Sequence, residues 1–162
     1  MNIDTAAPLI GAPAPAFTLP RNLYQDLSLS ELPGPAVLVF YPGDWEPISA
    51  EQLYRYQTNL MQLRPFEATL VAISVDSIWS HRAFADTLGL TFALLSDSSP
   101  RGRVSREYQV YEESKDRSRR AIFVVDAAGV VRWSRVSPNN LDPGVEGFLT
   151  ALSKLDGARA PP

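Results

Sequence analysis

Five consecutive apolar residues, Ala36-Val37-Leu38-Val39-Phe40, lead without a gap into Tyr41-Pro42-Gly43-Asp44-Trp45-Glu46-Pro47-Ile48-Ser49. A run of that length with no polar alternation reads as a buried strand. Pro42 and Gly43 end it. The following stretch, Ala50 to Leu63, places Leu53, Tyr56, Leu60 and Leu63 at spacings of three and four, one apolar helix face. A strand, a Pro/Gly loop and a helix start set a side chain against the free backbone N–H groups of the first turn. Partial positive charge there favours an anion. The side chain at that spot is the hydroxyl of Ser49.

The rest of the chain extends this pattern. Phe17-Thr18-Leu19 and Leu27-Ser28-Leu29 predict a small hairpin around Arg21-Asn22, after an Ala/Pro-rich lead-in. Thr69 to Val75 is a β-branched run of strand length. Asp76 and Ser77 can cap a helix through about Leu88 that turns Trp79, Ala83, Phe84 and Leu88 inward, with Gly89 ending it. Thr91 to Leu95 predicts a short strand, and Val104 to Tyr108 one or two helical turns. Ala121–Val125 and Val130–Val136 predict strands joined by the turn Asp126-Ala127-Ala128-Gly129. A last helix, Val145 to Leu155, carries Val145, Phe148, Leu149, Leu152 and Leu155 on one face. Alternating β and α units early, with a late hairpin, imply an α/β domain whose mixed central sheet has helices on both faces. That is a thioredoxin-like fold with an N-terminal hairpin extension. The expected organisation is one domain over 1–162, with irregular ends at 1–12 and 156–162.

Composition excludes several function classes. At 162 residues the chain can bury a core without metal or disulfide support. A net charge of −3 with no basic stripe gives no reason to expect nucleic acid. With no cysteine, disulfides, thiolate metal sites and thiol catalysis are ruled out, and a single histidine excludes a His-rich metal site. No segment is long and apolar enough to span a membrane, and Met1 to Pro15 lacks the basic start and apolar run of a signal peptide. A cytoplasmic location is expected, with no cofactor.

The motifs narrow the class further. The run from Phe40 to Ser49 resembles the peroxiredoxin active-site signature, Pro-x-x-x-Thr/Ser-x-x-Cys, preceded by aromatic residues. Pro42 matches its proline, Glu46 falls on the Thr/Ser, and Ser49 falls on the peroxidatic cysteine. Arg120-Ala121-Ile122-Phe123-Val124-Val125-Asp126 is similar to the family's Arg-x-x-Phe-hydrophobic-hydrophobic-Asp strand, whose arginine faces the active site. Ala72 to Asp76 and Phe92 to Asp97 resemble its second and third strands, and Val104 to Tyr111 the segment after them. The likeness covers about Pro13 to Leu152, in the family's order. It points to the small bacterial peroxiredoxins related to the one-cysteine alkyl-hydroperoxidase E and bacterioferritin-comigratory groups.

The resemblance implies a thiol-dependent peroxidase acting on hydrogen peroxide or alkyl hydroperoxides, with a thiol reductant such as a thioredoxin-like protein and a possible homodimer. Exposed Tyr41, Trp45 or Tyr108 would serve that dimer. Ser49 would stand for the nucleophile, Arg120 and Glu46 would shape the pocket, and Pro42 would shield it from water. A serine hydroxyl is not appreciably ionised near neutral pH and forms no sulfenic acid, so the chain is expected to lack turnover. Glu46 is a second departure, because a carboxylate would raise the pKa of a thiol placed beside it unless paired. In some relatives a cysteine lies near the start of the second helix, where Ser80 stands. An engineered Cys→Ser form and a natural loss of sulfur both fit. So does a non-catalytic binding or assembly module.

Plainer readings accompany these residues: Glu46 could be a solvated loop acid, and Pro42 could simply end the strand. Ser49 could be a helix N-cap, as could Ser80. The basic cluster Lys115, Arg117, Arg119 and Arg120 could be a solvated loop, although strand register selects Arg120, with Arg119 as fallback. The adjacent pair Ser80 and His81 invites a hydrolase reading. Neighbouring helix residues do not face one another, however, and no third member is evident in the sequence.

Overall fold

The computed structural model describes residues 8–159. A five-stranded sheet is assembled from β3 (Ala36–Phe40), β4 (Thr69–Ser74), β5 (Ala93–Ser96), β8 (Arg120–Val125) and β9 (Val131–Ser137). Their order is β5-β4-β3-β8-β9. Strands β3, β4 and β5 pair in parallel, while β8 runs antiparallel to both β3 and β9. The continuous apolar run places β3 at the centre because both its faces are covered. Val37 and Val39 pack with one cluster, and Ala36, Leu38 and Phe40 with the other.

The helices α1 (Pro47–Thr58), α2 (Ile78–Leu88) and α4 (Glu146–Arg159) contribute Leu53, Tyr56, Phe84, Phe148 and Leu152 to the first cluster. The short α3 (Arg103–Glu107) and the segment after it bring Val104, Tyr108 and Val110 to the second. Phe17 and Leu19 join that second layer from β1 (Thr18–Pro20) and its approach. Strand β1 pairs antiparallel with β2 (Asp26–Ser28) to form the expected N-terminal hairpin. The structure is thus a thioredoxin-like arrangement with a mixed sheet and helices on both faces.

Several elements differ from the sequence reading. Helix α1 starts at Pro47, three residues early, because Glu46 and not Ser49 is the N-cap. It stops at Thr58, and Leu60–Phe66 continues as 3₁₀ helix that still buries Leu63. In α2, Trp79 is 60% exposed and Ala83 is exposed too, while His81 and Phe84 are buried. Ser77 does cap α2, accepting from Ser80 N–H, and Gly89 closes it at φ +67°. Tyr41 and Tyr108 are wholly buried instead of exposed, whereas Trp45 is 54% exposed. A two-residue hairpin of β6 (Tyr111–Glu112) and β7 (Arg117–Ser118) carries no periodic signal and went unpredicted. Helix α4 runs on to Arg159, so 156–159 are helical and not an irregular tail. Positions 160–162 and 1–7 of the expected irregular ends lie outside the described residues, and residues 8–11 form turns. No described helix is long and apolar enough to cross a membrane.

Candidate active site

The site forms where β3 ends. Sheet register pairs Phe40 with Ala121, so Arg120 lies one position beyond the end of β3, level with the start of the loop. Within β8, Arg120 shares a face with Ile122 and Val124, the face that packs against α1 and α4. The loop Tyr41–Glu46 turns through Trp45, whose φ of +68° is unusual for a non-glycine residue, and delivers Glu46 as N-cap of α1 with Pro47 at the first helical position. Ser49 falls in the first turn and Gln52 one turn on, both wholly buried on the side facing Arg120.

These residues converge. Glu46 Oε1 accepts from Ile48 N–H at 2.9 Å, and Oε2 accepts from Ser49 N–H at 2.8 Å and from the Ser49 hydroxyl at 2.6 Å. Arg120 Nη2 reaches Glu46 Oε2 at 2.9 Å and Asn139 O at 2.8 Å. Its Nη1 donates to Gln52 Oε1 at 2.6 Å and to Ser49 Oγ at 3.1 Å. Arg120 is wholly buried, and its Nε has no partner. Burial pushes the Glu46 carboxyl up. Bonds from the Ser49 hydroxyl, Ile48 N–H, Arg120 and Ser49 N–H outweigh it, and the net result lies below the ordinary glutamate value.

The structure brings together Ser49, Glu46 and Arg120. Arg119 is not part of the cluster; its backbone N–H bonds Val110 O. Pro42 is buried at the start of the loop. Sequence reasoning missed Gln52 and Asn139. The spacing of Gln52 from Ser49, three residues along one helix face, was a usable signal, whereas Asn139 offered none.

Ser80 belongs to a second cluster beneath the same loop. Its hydroxyl donates to Asp44 Oδ2 at 2.8 Å, and His81 Nδ1 lies 2.8 Å from the same oxygen. The Tyr41 hydroxyl donates to Asp44 Oδ1 at 2.6 Å, and Asp44 N–H donates to Asp76 Oδ2 at 2.8 Å. Burial, then the charge and hydrogen bond of Asp44, push the Tyr41 phenol well up, which keeps it a donor. A carboxylate partner for the Ser80/His81 pair therefore exists, contrary to the sequence reading. It still makes no triad. Ser80 and His81 both bond Asp44, and His81 Nε2 faces Leu95 O at 3.1 Å inside the protein. Asp44, Asp76 and His81 also lie close enough to suggest a cation, but serine, tyrosine and backbone donors already take both oxygens of Asp44 and Oδ2 of Asp76. The cluster ties the loop to α2.

A strand-end loop delivering a capped helix start onto a buried arginine defines a class of protein, and comparison with known families agrees. The model of the AhpC/TSA family matches residues 10–134. The chain is 34% identical over 129 residues to alkyl hydroperoxide reductase E of Mycobacterium tuberculosis, covering 78% of this chain and 84% of that one. It is 32% identical over 149 residues to the mitochondrial thioredoxin-dependent peroxide reductase of Homo sapiens, covering 85% of this chain and 57% of that one. The solved structure of reduced Plasmodium vivax 2-Cys peroxiredoxin superposes with a TM-score of 0.84 at 22% identity, over 92% of this chain and 82% of that one, a likeness of fold. The chain belongs to the AhpC/TSA family of peroxiredoxins.

Proposed function

We propose that the chain carries the scaffold of a thiol-dependent peroxidase for hydrogen peroxide or alkyl hydroperoxides, in a form without turnover. The observation that carries this reading is Arg120, fully buried, donating to Ser49 Oγ at 3.1 Å in the first turn of α1. With sulfur in that place, guanidinium and helix N-terminus would favour a thiolate. The thiolate would attack one peroxide oxygen, the O–O bond would break, and the leaving oxygen would depart as water or an alcohol after taking a proton. Sulfur would be oxidised to a sulfenic acid, which a thiol reductant such as a thioredoxin-like protein would reduce through a disulfide. Ser49 supports no such cycle. Pro42 would keep water from the nucleophile, and Ser80 would stand at a resolving position. A cytoplasmic location and a homodimer accompany this reading.

The test replaces the missing atom. In Ser49→Cys, alone and with Ser80→Cys, peroxide is added and thiol loss and reductant-coupled peroxide consumption are followed. The reading expects the thiol at 49 to react faster than free cysteine, if not in the single variant then in Ser49→Cys/Glu46→Thr. A thiol that titrates and reacts like free cysteine in both backgrounds sinks it. One observation favours a second reading, a non-catalytic binding or assembly module: the donors around Ser49 are already taken by Glu46.

A further inference from the structure

Glu46 does more than cap a helix. Asn, Asp, Ser and Thr are the preferred N-cap residues, and each reaches one or two N–H groups with a short side chain. A glutamate has one methylene more than aspartate. Here that length lets a single carboxylate collect two backbone N–H groups, the Ser49 hydroxyl and Arg120 Nη2, at 2.6 to 2.9 Å. Those four donors make an anion cradle of the kind that helix starts form when a cation backs them.

Two features show the cradle to be built for an anion and not merely tidied by a cap. Arg120 is wholly buried, and Glu46 is its only carboxylate partner among the described residues. Its Nε is buried with no acceptor, so the guanidinium carries a donor to spare. Ser49, Gln52 and Arg120 are also sealed from solvent, while the Glu46 side chain is 27% exposed. Glu46 is therefore the member of the cluster whose side chain meets solvent.

We propose that Glu46 is a tethered, resident ligand of this cradle, and that it closes the site both to small monocarboxylates and to peroxide. The head group of glutamate is chemically a formate, and its tether keeps it at an effective concentration of about millimolar or more. A free anion of the same intrinsic affinity does not displace it below that concentration. Detaching it opens a binding site for formate or acetate. The anion-binding part stands on the geometry alone, and only the peroxide part rests on the peroxidase reading.

The experiment separates the two. Glu46→Thr, in the otherwise unchanged cysteine-free protein, restores a short capping hydroxyl and removes the carboxylate. Sodium formate is titrated into the parent and the variant at ionic strength matched with sodium chloride, following heat of binding and thermal midpoint. The expected result is saturable one-to-one binding, with a raised midpoint, in Glu46→Thr but not in the parent, and its loss when Arg120→Met is added. A folded Glu46→Thr that responds to formate no more than the parent overturns the proposal. If that variant fails to fold, Glu46→Ser serves, because it too caps with a short hydroxyl and empties the place of the carboxylate; a response equal to the parent's overturns the proposal equally. In a cysteine background, Ser49→Cys/Glu46→Thr should lose its thiol to peroxide at least about ten times faster than Ser49→Cys, and equal rates above that of free cysteine overturn the closure. Formate binding without any peroxide reactivity would leave the cradle standing and remove the peroxidase reading.

Discussion

Arg120 and Glu46 form an ion pair of unequal members. The Arg120 side chain is wholly buried and the Glu46 side chain is 27% exposed, so each loss has a different consequence. Arg120→Met leaves Gln52 Oε1 and Asn139 O without their donor, and Glu46 without its cation. The expected cost is about 2–5 kcal/mol, read as a lowered urea midpoint. Arg132, 49% exposed and paired with Asp126 at 2.7 Å, is the control. Arg132→Met should cost less than about 1 kcal/mol, because solvent screens that pair and can replace it. Similar costs for both would mean that burial does not set the strength of these pairs. At this scale Ser49, Glu46 and Arg120 were readable, since a motif records them in order. Asp44 was not, because only the folded loop carries its carboxylate to Ser80 and His81.

Among the elements, two glycines mark what local signals do and do not report. Gly89 follows the last apolar residue of α2, adopts φ +67° and has open space around the position of a Cβ. Gly89→Ala should cost about 1 kcal/mol, the strain of a left-handed conformation for an alanine. Gly102 also has positive φ, +77°, but a Cβ there would run into the Tyr111 ring. Gly102→Ala should therefore cost more, about 2–4 kcal/mol, as strain and overpacking combine. Denaturation midpoints of the two variants check the order, and equal losses would discount the ring contact. Gly89 was legible as a helix stop. The demand on Gly102 was not, because the small β6–β7 hairpin that holds Tyr111 has no hydrophobic period to betray it.

For the molecule as a whole, the carboxylates set the response to acid. Glu46 lies below its ordinary value for the reasons given above. In Asp126 burial pushes upward, and the bonds from Arg132, Val130 N–H and Ala128 N–H outweigh it, so it is lowered too. A carboxylate depressed in the folded state contributes stability that is full above its unfolded pKa, about 4, and lost as pH falls through its folded value. Asp97 works the other way. Burial raises it against the bonds from Ser105 and Val104 N–H, so its charge opposes folding and that penalty fades as pH drops toward about 4. Stability should accordingly hold down to about pH 4 and fall below it. Glu46→Gln should flatten that fall, as measured by denaturant midpoints between about pH 5 and pH 2. An unchanged slope would show that the cradle around Glu46 does not stabilise its charge.

The sequence by itself determined the central strand, the order of the five sheet strands and the helices between them, the late hairpin and the family, along with three of the residues that meet at the site. These are properties of short segments, where apolar spacing reports which faces are buried and motif spacing reports a loop. The tertiary structure alone decided that Glu46 caps α1 and lies across the donors around Ser49. It also decided that Tyr41 and Tyr108 are core, and that Asp44 joins the loop to α2. The place of the arginine depends on pairing β3 with β8, which brings Arg120 to Ser49 across 71 positions of sequence. Only the assembled sheet turns that separation into 3.1 Å.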